Sequence, residues 1–200
     1  MMNKRKRGAI PPALALLAIT VAGGFLLRSE FRPLEKITVD TSVRSGVHLG
    51  LIAVAPTSSP GSRMAESIVA LRDSLRAVAA RNDFEFTSIG VSDHWSIREG
   101  WRLVNEMGQF DEVIVGRNWL NTGIEKFITE LGGPPGVPQV IVTAQEISAD
   151  SLPLDYGPMV ELLRLVGRNE ITSWGASGTG ATLESLISRN RSHILEGNTP

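Results

Sequence analysis

The sequence predicts an α/β fold in which helices flank a three-layer sheet, preceded by one N-terminal transmembrane helix. Three observations support this prediction. Short apolar runs typical of buried strands recur along the chain, and they alternate with longer segments whose apolar residues fall at helical spacing. The third is an uncharged stretch of twenty residues, 8–27. Helices that alternate with strands favour a layered sheet, because each helix must bury its apolar face.

The N-terminal segment has the pattern of a signal anchor. Four cations precede the uncharged run: Lys4, Arg5, Lys6 and Arg7. Twenty residues at about 1.5 Å per residue span about 30 Å, the thickness of a hydrocarbon core. The excess of positive charge before the run predicts that residues 1–7 are cytoplasmic and that the chain after residue 27 is extracytoplasmic.

A cleaved signal peptide is the alternative, because Thr20-Val21-Ala22 has small residues suited to cleavage. The apolar run is longer than that of a usual signal peptide, which favours retention. We therefore expect a single-pass protein of the bacterial inner (cytoplasmic) membrane, with residues 8–27 in the lipid bilayer and the C-terminal domain in the periplasm. Residues 28–46 combine charges, a proline and little periodicity, and we interpret them as a juxtamembrane linker.

The remaining chain alternates between strand and helix patterns. We predict four strands, at 48–55, 84–91, 112–116 and 138–143. We predict helices at 62–81, 96–107, 122–131, 158–166 and 181–191. The second helix has Ile97, Trp101 and Val104 at helical spacing, and the segment 170–174 is at best a short polar strand.

Composition excludes several chemistries. The chain contains no cysteine, which excludes disulfides, thiolate catalysis and cysteine-ligated metals. It has three histidines, and none is spaced as a metal-binding pair. We therefore expect no metal and no cofactor. The formal net charge of −1 gives no reason to expect a nucleic-acid partner.

The turn Ser59-Pro60-Gly61-Ser62 connects the first strand to the longest predicted helix. Many α/β proteins place their chemistry at such a turn, because unpaired backbone N–H groups and the helix dipole point there. A simpler interpretation is structural, with Ser59 as the N-cap and Pro60 as the first helical residue. We favour the structural interpretation over a residual catalytic role.

The order of these motifs resembles a thioredoxin-like domain, in particular the membrane-tethered kind related to peroxiredoxins and cytochrome-c-biogenesis thioredoxins. Ser59-Pro60-Gly61-Ser62 stands where that family has Cys-x-x-Cys, with a serine for each cysteine. Val137-Pro138, before the fourth strand, matches the family's loop before a cis-proline. The resemblance implies that the serine turn is a vestigial active site.

The resemblance covers residues 47–166, and we interpret 167–200 as a C-terminal helical extension. The hairpin that the family has after Thr143 is poorly marked, because residues 144–157 are polar and contain proline. Thiol–disulfide exchange needs a thiolate, and a serine hydroxyl does not ionise unaided at neutral pH. We therefore expect a protein without thiol-redox activity, whatever its fold.

Other segments carry weaker indications. Asp93-His94 follows the second strand, where α/β proteins often bind ligands, although a polar loop is the commoner meaning. The glycine-rich segment 175–182 lacks the lysine of a phosphate loop. Tryptophan and arginine in loops are enriched at protein interfaces. The interaction candidates of this kind are Trp95, Arg117, Trp119 and Trp174.

Two functions are compatible with these patterns. The first is a non-catalytic subunit that docks on the extracytoplasmic face of a membrane protein complex, of which photosynthetic and respiratory assemblies are examples. The second is a carrier or assembly chaperone, for cytochromes or metal centres, that binds its partner without redox chemistry. It would use the groove between the turn 59–62 and Val137-Pro138.

Overall fold

In the computed structural model, residues 44–116, 118–149, 155–177 and 180–195 are described. They form a mixed α/β unit with one six-stranded sheet and flanking helices, which confirms the α/β part of the prediction. The predicted transmembrane segment 8–27 lies outside the described residues. Within those residues, no helix combines the length and the apolarity needed to cross a bilayer.

The bounds of the elements are as follows. The strands are β1 (Gly46–Val54), β2 (Glu85–Ser92), β3 (Glu112–Val115), β4 (Gln139–Ser148), β5 (Asp155–Tyr156) and β6 (Val160–Val166). The helices are α1 (Ser62–Asn82), α2 (Ile97–Met107), α3 (Thr122–Ile124), α4 (Arg168–Ser177) and α5 (Gly180–Leu195). A 3₁₀ turn (Asn118–Leu120) precedes α3, and a π-helical segment (Glu125–Glu130) continues it.

The sheet has the order β3-β2-β1-β4-β5, and β6 also pairs with β4. β1, β2 and β3 are parallel, whereas β4 runs antiparallel to β1 and is paired antiparallel with β5 and β6. The carboxyl ends of the three parallel strands therefore lie together, at what we call the carboxyl end of the sheet. β1 has a paired strand on each side.

Each face of the sheet has its own apolar core. On the first face, Leu49, Leu51 and Ala53 of β1 pack with residues of α1, α2, α4 and α5. On the second face, Ile52 and Val54 pack with α3 and the π-helical segment. This alternation follows from the two-residue period of a strand. The helices of the predicted C-terminal extension contribute Ile171, Leu183 and Ile187 to the first core.

Helix α1 forms as the apolar spacing predicts. Its buried residues are Met64, Ile68, Leu71, Leu75, Val78 and Ala79. The helix ends at Asp83, which takes a left-handed conformation (φ 56°), and the Asp83 N–H bonds the carbonyl of Ala79. A non-glycine residue of this kind is a common helix terminator when its side chain is short and polar.

Two predictions near the C-terminus are wrong. Residues 160–166 form strand β6 rather than a helix, and 168–177 form helix α4 rather than a strand. The leucines, Glu161 and Arg164 of β6 have good helix propensity, but pairing with β4 supplies the backbone with hydrogen bonds and outweighs it. The register between β4 and β6 also shifts beside Thr143, and this shift disturbs the alternation of buried and exposed residues in β6.

The prediction for α2 placed its helix correctly but not its buried side. The buried residues are Gly100, Leu103, Val104 and Met107, whereas Ile97 and Trp101 are exposed. Ile97 and Trp101 lie four residues apart and share one side of the helix. That side faces away from the sheet.

We predict that Leu75→Ala destabilises the domain by about 3 kcal/mol, because the fully buried leucine would leave a cavity in the first core. Chemical denaturation measures the change. Leu120→Ala is the matched control, since the Leu120 side chain is 86% exposed and its loss should cost little. Equal destabilisation by the two variants would contradict the assignment of the core.

Candidate functional site

The candidate site lies at the carboxyl end of the sheet. Three loops leave the parallel strands there, after Val54, Ser92 and Val115. Ligands of α/β proteins commonly bind at this position, because the loops are free to vary while the strands hold them in place. The loops contain the serine turn and Asp93, and most of the large exposed hydrophobic side chains follow these strands.

The serine turn leads into α1, but not through the predicted cap. The helix begins at Ser62, its N-cap is Gly61, and no side chain caps its first turn. The Ser59 hydroxyl instead donates to Oε2 of Glu106 at 2.9 Å. Glu106, near the end of α2, also accepts from Arg102. The predicted Ser59 cap is therefore wrong, since the Ser59 side chain fastens the turn to α2.

Arg168, at the start of α4, holds the turn from the other side. Its guanidinium donates to the carbonyl of Ser59 at 3.0 Å and to the carbonyl of Pro60. Gly61 has φ 75°, and a Cβ there would lie 2.9 Å from the Arg168 guanidinium. Glycine is thus favoured by the backbone conformation, and a larger residue would also have to displace the end of the arginine side chain.

The proline loop lies against the same end of α4. Val137-Pro138 is the candidate for a cis-proline in the sequence, and its peptide bond is cis. The carbonyl of Pro138 accepts from Gly167 N–H at 2.8 Å. Because Gly167 and Arg168 are adjacent, α4 joins the proline loop to the serine turn. Gln139 braces the loop, since its buried amide donates to the carbonyl of Pro134 at 2.6 Å.

Asp93 is the one buried carboxyl group of this site. Its side chain is 6% exposed, and Oδ1 has no hydrogen-bond partner among the described residues. Burial raises the pKa of Asp93, while a backbone hydrogen bond and the nearby His94 oppose that rise. An orphaned buried carboxylate oxygen is costly, and perturbed carboxyls of this kind concentrate at functional sites.

The backbone around Asp93 is held by buried polar groups. Asn121 donates from Nδ2 to the carbonyl of Ser92 at 3.0 Å, and its Oδ1 accepts from Gly123 N–H at 2.8 Å. The Ser92 hydroxyl accepts from His94 N–H at 3.2 Å. Asn121 thereby fastens the loop after β3 to the end of β2. The Asp93 loop is consequently a fixed part of the fold rather than a loose connection.

Large hydrophobic side chains are exposed on the segments that follow β2 and β3. Among the described residues, four of the five large hydrophobic side chains that are exposed lie on the loops after β2 and β3 or on α2. We call them the carboxyl-end patch: Trp95 (69% exposed), Ile97 (60%), Trp101 (50%) and Leu120 (86%). Exposed tryptophan is a residue type that is enriched at protein interfaces.

The predicted interaction residues have different positions. Trp95 belongs to the carboxyl-end patch, whereas Trp174 is half-buried and packs against the first core from α4. Arg117 and the side chain of Trp119 lie outside what the structure describes. Sequence reasoning missed Ile97, Trp101 and Leu120, because helical spacing alone does not tell which side of α2 faces the sheet.

The histidine of the site is engaged locally. Nδ1 of His94 lies 3.0 Å from the backbone nitrogen of Ser96, within its own loop. Neither Ser59 nor Ser62 has a hydrogen bond to a histidine among the described residues, and the Ser59 hydroxyl donates to Glu106. A serine nucleophile needs a neighbouring base, so the arrangement lacks that pairing. What it offers is one end of the sheet whose loops and helix α2 carry exposed hydrophobic side chains and one buried carboxyl group.

No match to this chain was found among protein family models, curated proteins or solved structures.

We predict that Asp93→Asn removes a pH dependence of stability. Because the pKa of Asp93 is raised, the folded chain holds this proton more tightly than the unfolded chain. The stabilisation that comes from this tightly held proton is full below the ordinary pKa of 3.8. It is lost as the pH rises through the pKa that Asp93 has in the folded chain. The stability of Asp93→Asn relative to wild type should therefore increase between about pH 4 and pH 7.

Urea denaturation at several pH values measures this difference. Asp83→Asn is the matched control, because it removes one carboxyl from an exposed position that also tolerates asparagine. Subtracting the control cancels the general effect of one lost charge. A difference between the two variants that stays constant with pH would contradict the role of burial at Asp93.

Proposed function

We propose that this chain is a redox-inactive, thioredoxin-like interaction subunit, anchored in the bacterial inner membrane by residues 8–27. Its folded domain docks on the extracytoplasmic face of a membrane protein complex. The observation that carries the proposal is the carboxyl-end patch, defined above by Trp95, Ile97, Trp101 and Leu120. The anchor and its topology rest on the sequence pattern of residues 1–27.

The thioredoxin-like part of the proposal is supported by topology. β1 and β2 are parallel and joined through α1, and β4 and β6 then form an antiparallel pair beside β1. This pair supplies the hairpin that the sequence marked poorly after Thr143. The serine turn precedes α1, and Pro138 immediately precedes β4. These are the relative positions that the resemblance implies for an active-site turn and its facing proline.

The absence of thiol chemistry follows directly from composition. The chain has no cysteine, so it cannot form the mixed disulfide through which thiol–disulfide exchange proceeds. Ser59 is engaged with Glu106, and the carbonyls of Ser59 and Pro60 are engaged with Arg168. The turn is in this way built into the surface as a structural element, which favours binding over catalysis.

The composition of the patch favours a protein partner. Tryptophan is the residue most enriched among interface hot spots, and Trp95 and Trp101 are both well exposed. Arginine is also enriched at protein interfaces. Arg98 and Arg102 line a cavity of about 520 Å³ together with Trp101. Burial of these side chains in a complex would remove apolar surface from water, which would stabilise the complex.

The carrier function has less support. It requires a ligand between the serine turn and the proline loop, but groups of both segments are already bonded to Gly167 and Arg168, where α4 begins. Arg168 occupies the carbonyls of Ser59 and Pro60, and Gly167 occupies the carbonyl of Pro138. A ligand would have to displace these bonds.

We predict that the double variant Ser59→Cys, Ser62→Cys forms a reversible disulfide in the full chain. The thioredoxin-like assignment places these two side chains at the ends of one turn, within the separation that a disulfide spans. Mass spectrometry after alkylation, with and without reductant, counts the free thiols. Two thiols that never pair under oxidising conditions would contradict the assigned turn geometry.

We predict that Trp101→Ala releases the chain from its complex. Loss of a central interface tryptophan costs about 2 kcal/mol or more, so affinity should fall about thirtyfold. Membranes are solubilised in mild detergent, and the size and stoichiometry of the complex are measured. Tyr156→Ala is the matched control, because Tyr156 is 56% exposed but lies outside the patch.

Two outcomes would count against the proposal. A wild-type chain that is monomeric after mild solubilisation would remove the complex. A complex that survives Trp101→Ala and Leu120→Ala but dissociates with Tyr156→Ala would place the interface elsewhere.

A further inference from the structure

The second face of the sheet is covered over only part of its length. Three successive rows of paired residues cross β2, β1 and β4 on this face. The row nearest the carboxyl end is apolar and consists of Ile89, Ile52 and Ile141. The next row is Thr87, Gly50 and Thr143, and the third is Glu85, His48 and Gln145. The face therefore changes from apolar to polar along the strands.

The middle row contains a depression. Gly50 has no side chain, and a Cβ at this position would lie 2.5 Å from Oγ1 of Thr143. The Thr143 side chain thus leans over Gly50, into the space that any other residue at position 50 would occupy. A glycine inside a strand often marks a close approach of this kind.

The Thr143 hydroxyl lies at this depression. The residue is 3% exposed, and its side chain lines the cavity that opens there. Its neighbours in β4 also depart from regular pairing, because the register with β6 shifts between Val142 and Thr143. A threonine hydroxyl in the wall of a cavity can donate one hydrogen bond to a bound molecule and can also accept one.

A cavity of about 230 Å³ opens at this depression. Gly50 and Thr143 form its base, and Thr87, His48 and Gln145 line its polar side. Its apolar side consists of Ile52, Ile89, Phe127, Ile147 and Met159. One cation and one carboxylate, Lys126 and Glu112, also line it. Their charges balance, so the cavity does not select for a charged ligand.

We propose that this cavity binds a small uncharged amphipathic molecule, a ring or short chain that carries one hydroxyl or carbonyl group. The apolar body packs against Ile52, Ile89 and Phe127, and the polar group bonds the Thr143 hydroxyl. The volume lies below the range of about 300–1,000 Å³ that drug-sized ligands occupy, so the ligand is smaller than these. This site is on a different part of the sheet from the carboxyl-end patch and does not depend on it.

Benzyl alcohol and toluene are suitable probes, because they share the apolar ring and differ in the hydroxyl group. The full chain is prepared in lipid nanodiscs with labelled isoleucine and methionine methyl groups. Saturable NMR shifts are expected at Ile52, Ile89 and Met159. The methyl groups of Ile68 and Ile187, in the first core, should remain unchanged and report on non-specific partitioning.

The variant Thr143→Val separates the polar contact from the shape of the cavity, because valine has nearly the same volume as threonine. Wild type should bind benzyl alcohol on the order of fivefold more tightly than toluene, the effect of one hydrogen bond. Thr143→Val should abolish this preference. Thr172→Val is the matched control, since the Thr172 hydroxyl bonds the carbonyl of Arg168 on α4.

Three results would overturn the proposal. Absence of saturable shifts at Ile52 and Ile89 would show that the cavity takes up neither probe. Equal shifts at Ile68 and Ile187 would show partitioning rather than a site. A preference for benzyl alcohol that persists in Thr143→Val would show that Thr143 does not bind the polar group.

Discussion

The pairing of β1 with β2 on one side and with β4 on the other is the interaction on which the rest of the structure depends. Residues 51–54 of β1 are at most 1% exposed, so this strand is sealed on both faces. Alternate residues supply the two cores, and the strand then leads into the serine turn. A strand that is paired on both edges and buried on both faces has one register that satisfies all its contacts. Each proposed site is positioned by that register.

The two candidate sites use different properties of the same sheet. The carboxyl-end patch arises where parallel strands stop and their loops are free to present large side chains. The cavity arises within the sheet, because Gly50 interrupts a row between Thr87 and Thr143. The carboxyl end of the sheet departs from the arrangement that stability alone would favour, with exposed tryptophan and an orphaned oxygen on Asp93. Such departures concentrate where a protein binds something.

Local patterns were reliable where one interaction dominated. The spacing of apolar residues predicts α1, and short apolar runs predict four strands at the positions of β1 to β4. β4 extends beyond its predicted end to Ser148. The residues of 158–166 predict a helix because most of them favour one, and only pairing with β4 makes 160–166 a strand. The Ser59 cap failed for a similar reason, since Glu106, forty-seven residues away, takes its hydroxyl.

By itself, the sequence determined the alternation of strands and helices, the position of the serine turn and the exclusion of thiol chemistry, because each depends on residue type or local spacing. Tertiary structure decided which side of α2 remains exposed, that Asp93 is buried without a partner for Oδ1, and that α4 joins the turn to the proline loop. It also decided the row of Thr87, Gly50 and Thr143. These features depend on strand register and helix packing, which bring together residues that are distant in the chain.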